Sequence, residues 1–338
     1  MSANTSSFTP TPELTDLLVK SGSFNKEEAL GANAEFAKAL ELPLRQGILD
    51  GNILDNIFEP IVLAQGATPE FPLDFLSPGT ERDFVAYTIP NHGYIPERHV
   101  EGDYVMVPTY DIGASIDYLL KYARDARWDV VGRAMEVMEA QFVKKMNDDG
   151  WHAILTAGAN IGVTIADDEA NDGQFSKRLV SLLKTAMRRF VGGNSTSVNR
   201  GMLTDLYVSP EAMEDIRNWG IDQVDEITRR EIYVANDGGI NRIFGVNLHD
   251  RDELGAGQEY QLYWENVLPT NPLPAGDNEI VVGLDLRKRD SFIMPVREQV
   301  QIFEDDTLHR QKRAGFYGWA EQGFAVLDNR RIVIGTLW

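Results

Sequence analysis

The 338-residue chain contains no cysteine. That excludes disulfide staples, thiolate nucleophiles and zinc–thiolate centres, so whatever holds the fold is non-covalent. Positive charge is scarce too: 32 lysines and arginines stand against 52 aspartates and glutamates, a formal net charge of −20. A surface that negative repels a phosphate backbone, which argues against tight nucleic-acid binding by the protein as a whole. It also keeps free copies apart, so self-association must rest on apolar, shape-matched contacts, with charge tuning the rate. Long apolar runs are missing. The longest stretch without a titratable side chain, Ala153 to Ala166, has 14 residues and includes Thr, Asn and Gly. It is too short and too polar to cross a bilayer. Met1 to Pro12 lacks the basic and apolar regions of a secretory signal. The expectation is a soluble protein made in the cytoplasm, with no membrane partner.

Chemistry-bearing motifs are absent as well. There is no GxxxxGKS/T, no GxGxxG after a strand, no HExxH and no GxSxG. The five histidines (His92, His99, His152, His249, His309) fall in separate segments without metal-ligand spacing. A calcium loop started at Asp168 fails at its third position, Ala170, and its twelfth, Leu179. Glu304-Asp305-Asp306 and Asp250-Arg251-Asp252-Glu253 could supply paired carboxylates for glycoside hydrolysis. Such doublets are expected by chance in a chain this acidic, and no cluster of sugar-stacking aromatics accompanies them. Arg287-Lys288-Arg289 and the group Arg310, Lys312, Arg313 are the concentrated positive patches. Neither is interleaved with aromatics, so they suit salt bridges between subunits better than nucleic acid. No catalytic, cofactor-binding or metal-binding residue is assigned, and no cofactor is expected.

What is present is an ordinary globular composition, 43% hydrophobic and 25% charged, enough for a real core. The length suggests two lobes, or one domain with long extensions. The first 65 residues read as an arm: short helices at Glu13 to Lys20 and Lys26 to Leu40, then a stretch broken at Pro43, Gly47, Gly51 and Pro60. Such pieces stay ordered only by lying on something else. Phe84–Ile89 and Asp103–Val107 read as the strands of a long hairpin, each stopped by a proline. A lone two-stranded ribbon is marginal in water. It is either an edge hairpin folded on its own domain or a ribbon reaching over a neighbouring subunit.

Val131, Met135, Met138, Phe142 and Met146 form one apolar helical stripe, read as a helix from about Ser115 to Asn147, with Asp148-Asp149-Gly150 as its stop. About 30 helical residues span roughly 45–50 Å. Trp151 to Phe175 reads as a loop. Ser176 to Phe190 is an amphipathic helix and Leu203–Val208 a strand. Ser209-Pro210 then open a further helix, with Ser as the cap and Pro in the first turn. Ile243–Val246 and Glu259–Trp264 read as strands. Four β-rich stretches close the chain: Glu279–Leu284, Val296–Phe303, Gly315–Leu327 and Arg331–Ile334. Late strands must pair beside the long helix, which makes an α+β protein with one lobe inserted into the other.

This order resembles the major capsid proteins of tailed bacteriophages, whose fold is named after phage Hong Kong 97. Leu206-Tyr207-Val208-Ser209-Pro210-Glu211 is similar to that family's strand-to-helix step. Ile243-Phe244-Gly245-Val246 is similar to its turn into the next strand, and Gly315–Trp319 through Ala325–Asp328 to its closing strand pair. The resemblance implies a Hong Kong 97-like capsid fold. Residues 1–65 would form an N-terminal arm and 66–111 an E-loop hairpin. The P-domain, with its long spine helix, would take 112–175 and 296–338, and the inserted A-domain 176–295. It further implies hexamers and pentamers of an icosahedral or prolate head around double-stranded DNA. A scaffolding protein, a portal and a decoration protein would be partners, and the virion the location. No lysine lies between Lys38 and Lys121, so this E-loop has no lysine to give to an isopeptide crosslink. About 65 residues before the E-loop are too few for a large fused scaffold. Tyr87, Tyr94, Tyr104 and Tyr110 are the expected E-loop contact residues, since tyrosine joins apolar area to a polar tip. Arm and ribbon are expected to clasp neighbouring copies. Two rivals stand: an encapsulin-type nanocompartment shell of the same fold, and an acidic cytoplasmic hydrolase using Asp305 or Asp252.

Overall fold

The computed structural model describes residues 11–51, 53–64, 66–72, 104–167, 173–190, 201–219, 242–268, 279–287 and 289–337. These divide into two compact units. One comprises residues up to Glu70 with Met106–Gly150 and Ile293–Phe324; the other comprises Phe71–Val105, Trp151–Phe292 and the residues from Ala325. The block 296–338 is thus shared between the units.

The first unit begins with α1 (Pro12–Ser21) and α2 (Lys26–Gly51). Thr11 caps α1 by accepting a hydrogen bond from Leu14 N, and Pro12 sits at the first turn, where no N–H is missed. α2 runs unbroken through Pro43 and Gly47, which the sequence reading took as breaks. A proline inside a helix costs about 3 kcal/mol, and here a buried stripe of Phe36, Leu40, Leu44 and Ile48 offsets it. Gly47 is a close-approach position: a β-carbon there would stand 2.4 Å from Glu139 Cδ. The expectation that the arm needs a neighbour to lie on is therefore corrected for these helices, which are core elements of their own chain. β1 (Glu59–Val62) follows, then a two-stranded ribbon of β2 (Glu70–Pro72) and β3 (Tyr104–Met106). The first expected hairpin strand, Phe84–Ile89, lies outside the described residues.

β4 (Tyr110–Leu119), the short α3 (Leu120–Arg124) and the 32-residue α4 (Trp128–Ala159) come next. The expected start of the long helix at Ser115 is corrected: Ser115 to Leu119 are strand, because Ile112, Ala114, Ile116 and Tyr118 turn alternately toward the core. The expected stop at Asp148-Asp149-Gly150 is corrected too. Lys145 pairs with Asp149 within the helix at 2.7 Å. Gly150 is small because Leu54 Cδ1 would lie 2.2 Å from a β-carbon there, so it marks packing and does not end the helix. The apolar stripe of α4 is as read, with Val131, Met135, Met138, Phe142 and Met146 all buried. They cover one face of a sheet ordered β1-β10-β11-β4, where β10 is Phe292–Glu304 and β11 is Arg313–Gln322. β4 and β11 pair antiparallel from Arg313↔Leu119 to Gln322↔Tyr110, and β1 joins β10 in parallel.

The second unit is a six-stranded sheet between two helical layers. Its strands are β5 (Thr164–Ala166), β6 (Asp205–Val208), β7 (Arg242–Ile243), β8 (Val246–Asp250), β9 (Glu279–Leu284) and β13 (Ile332–Leu337), in the order β5-β13-β9-β6-β8-β7. Its helices are α5 (Lys177–Phe190), α6 (Pro210–Asn218) and α7 (Glu259–Asn266), and β12 is Ala325–Val326. α5 and α6 pack Leu179, Leu183, Met187, Met213 and Ile216 on Leu206, Val208, Val281 and Val333. On the other face, alternation turns Tyr207 toward Trp151, whose ring lies 4.9 Å away, and Trp151 stacks on Tyr260 of α7. The expected strand at Glu259–Trp264 is therefore a helix, with Tyr260 and Trp264 four residues apart on its buried side. Ile243–Val246 is a two-residue hairpin: Ile243 pairs with Val246, while Phe244 (φ 49°) and Gly245 (φ 79°) take the left-handed region that such a turn demands.

Candidate functional site

With no catalytic cluster on view among the described residues, the exposed surfaces are the candidate sites, and two stand out. One is the ribbon. Tyr104, Val105 and Met106 are all exposed along β3. The stem beneath them is fixed. Val107 N donates to Pro69 O at 2.9 Å, closing the two legs. Glu321 Oε1 accepts from the Thr109 hydroxyl and pairs with Arg297 at 3.2 Å. Arg297 also reaches Ala67 O on the opposite leg at 3.5 Å. The same side chains therefore tie Ala67 and Thr109 to β10 and β11.

The other surface is the side of the sheet away from α4. Alternation along β11 buries Phe316, Gly318 and Ala320 and turns Tyr317 and Trp319 outward, 43% and 41% exposed. Phe303 on β10 stacks on Tyr317 at 5.5 Å and lies 6.1 Å from Trp319. Across the ladder stand Gly113 and Ser115, which cover neither ring. The result is a strip of three aromatic rings in contact, open to solvent. Sequence reasoning missed it: the period-two pattern of Phe316 to Ala320 separates the two sides of β11 without saying which one is covered.

Of the expected contact tyrosines, Tyr87 and Tyr94 lie outside the described residues. Tyr104 stands exposed on the ribbon. Tyr110 opens β4, 39% exposed, and burial together with the neighbouring Asp149 carboxylate pushes its phenol well above the ordinary tyrosine range.

The basic patches are partly spoken for within the chain. Arg287 holds Asp285 at 2.7 Å and Arg313 holds Asp117 at 2.7 Å. Asp285 is fully buried and also meets Arg331 at 3.3 Å. Burial alone would raise its carboxyl; hydrogen bonds from Arg287 and from Met202 N outweigh that and hold it below the usual range. His249 stacks on Tyr207 and places Nε2 2.9 Å from Asp205 Oδ1, and His152 stacks on Tyr263 with centroids 3.9 Å apart. Asp305 accepts from Thr307 N at 3.0 Å, the bond of a local turn. Burial, and then Asp306, raise the neighbouring Glu304 carboxyl. Among the described residues no group of three or more His, Asp or Glu side chains is placed to hold a metal ion. No helix among them is long and apolar enough to cross a membrane.

A long helix packed on an open sheet, a short β-ribbon and a six-stranded α/β/α lobe are the parts of this fold, and solved phage structures share it. The chain matches a structure from Microbacterium phage Oxtober96 with a TM-score of 0.58, at 12% identity, covering 85% of this chain and 90% of that one. It matches the capsid of Cyanophage Pam1 with a TM-score of 0.57, at 13% identity, over 83% and 88%. The mature capsid of bacteriophage PhiM1 gives 0.52, at 11% identity, over 84% and 86%. No family model and no curated protein matches the sequence.

Proposed function

We propose that this chain is the major capsid protein of a tailed bacteriophage, building hexamers and pentamers of an icosahedral or prolate head. The observation that carries the reading is the fold shared with phage capsid structures over more than four-fifths of the chain at 11–13% identity. At that identity sequence is erased and architecture is what remains in common. In this reading the protein is structural and has no catalytic role. It encloses double-stranded DNA without sequence-specific contact, consistent with a net charge of −20. It resides in the virion after synthesis in the host bacterial cytoplasm. A scaffolding protein, a portal and a decoration protein are its further partners.

The contacts of the shell are heterologous, so each subunit presents two different surfaces to its neighbours. Tyr87, Tyr94, Tyr104 and Tyr110 contribute along the ribbon segment. The Phe303–Tyr317–Trp319 strip adds the large rigid aromatic area that interface centres favour. Negative-stain microscopy of the purified protein, alone and with a candidate scaffold, tests the proposal. Rings of five or six, tubes or shells are expected. A monodisperse dimer under all conditions overturns it.

A further inference from the structure

Two helices on opposite sides of the second unit's sheet, α5 and α7, carry opposite charge. α5 reads KRLVSLLKTAMRRF, with Lys177, Arg178, Lys184, Arg188 and Arg189 and not one acid, in a chain of net charge −20. Its buried stripe of Leu179, Val180, Leu183 and Met187 fixes which side looks outward, and Arg188 and Arg189 are exposed. α7 reads EYQLYWEN, with Glu259 and Glu265 and no base. Both acids are exposed, and between and beyond them stand Leu262, 45% exposed, and Val267, 58% exposed. The two helices lie on opposite sides of the sheet: Leu206 and Val208 pack under α5, whereas Tyr207 turns the other way toward Trp151 and Tyr260.

This placement discriminates between symmetries. A two-fold contact through either helix would bring like charge against like. A head-to-tail contact brings a basic helix against an acidic one, and repeating it closes a ring wherever the rotation between copies closes. We infer that in the assembled capsomer the α5 face of one copy lies against the α7 face of the next. The aliphatic stems of the arginines cover Leu262 and Val267 while their guanidinium groups meet Glu259 and Glu265. A contact between two short helices is small, so it sets register and encounter rate, and apolar surfaces elsewhere supply most of the affinity. The inference rests on the shell reading given above and names one of its interfaces.

Two charge reversals test it, each in the full-length chain: R188E/R189E, which sets two acids at the exposed end of α5 and so places acids on both faces, and E259K/E265K, which places bases on both. Thermal unfolding checks that each variant folds, and sedimentation velocity with negative-stain microscopy reads assembly. Each variant alone loses ring formation at low salt, and mixing the two one to one restores it. Because the variants must then alternate, six-membered rings return and five-membered rings do not. Wild-type protein that assembles while R188E/R189E assembles equally well overturns the contact and leaves the shell reading standing. Loss on reversal without restoration on mixing overturns it as well. Wild-type protein that forms no ring or shell under any condition removes the shell reading and this contact with it. Should a reversal fail to fold, the neutral pairs R188Q/R189Q and E259Q/E265Q replace it. They must slow assembly and flatten its salt dependence, and an unchanged salt dependence overturns the inference.

Discussion

The carbonyl oxygen of Pro108 occupies the space a side chain at Gly323 would need: a β-carbon at 323 would stand 2.4 Å from it. The obstacle is backbone, on the leg that leads from the ribbon into β4, and Gly323 N is itself held by Pro295 O at 3.0 Å. Neither side can yield cheaply. Gly323→Ala is expected to lower the stability of the free subunit by about 1–3 kcal/mol, the usual cost of forcing atoms into a packed site. Urea unfolding measures it, and an unchanged midpoint would show that the two segments separate more easily than their geometry indicates.

Asp285 gives the pH prediction. Its folded carboxyl lies below its unfolded value of about 3.9, so the stability it contributes is present above that pH and is lost as pH falls through the depressed folded value. Asp285→Asn leaves Arg287 and Arg331 without their shared anion. Since Arg287 is 38% exposed, water relieves part of the cost, and a loss near the low end for broken buried pairs, about 3 kcal/mol at pH 7, is expected. Between pH 5 and pH 3, to about half a unit, the variant's stability should fall less steeply than wild type.

Ser209 joins two tasks. Its hydroxyl caps α6 by accepting from Ala212 N at 3.0 Å and donates to Glu279 Oε2 at 2.5 Å. Ser209→Ala should cost about 1–2 kcal/mol through the lost cap. Burial already raises the Glu279 carboxyl, and the Ser209 bond partly lowers it again. Without that bond the carboxyl rises further. The penalty should therefore be larger at pH 8 than at pH 4, a comparison chemical denaturation can make at about those two values.

Trp319→Ser removes the most extended ring of the open aromatic strip. Part of the ring packs on Phe303, so the change should cost the free protein about 1 kcal/mol, which urea unfolding measures separately. It should also raise the protein concentration needed for assembly at least about tenfold, as expected of an aromatic at an interface centre. Equal assembly of the two proteins in light scattering would take the strip out of the interface.

Local signals in the sequence were legible where local chemistry decides. The Ser209-Pro210 start of α6, the bounds of β9 and the apolar stripe of α4 all stand as read. Misreadings fell where packing overrides propensity. Pro43, Gly47 and Gly150 look like helix breaks, but a buried stripe carries α2 past the first two, and the Glu139 and Leu54 side chains come close to the two glycines. Tyr260 and Trp264 look like strand residues, but their four-residue spacing places both on the buried side of α7. The premise that the arm is too thin to stand alone failed for the same reason: Phe36, Leu40 and Leu44 belong to a core whose other half arrives only with Phe316 and Ala320. Nothing in the spacing of Tyr317 and Trp319 tells which side of β11 lacks a cover. That depends on where α4 lies.

β13 has a bearing on how the polypeptide is made. It sits between β5 and β9 in the second unit's sheet, yet its residues, Ile332–Leu337, are synthesised about 40 residues after the β9–β10 connection has left for the other unit. A ribosome can emit Trp151 to Phe292 without giving that sheet its inner strand. The lobe bearing α5 and α7 therefore closes only after translation has passed Leu337.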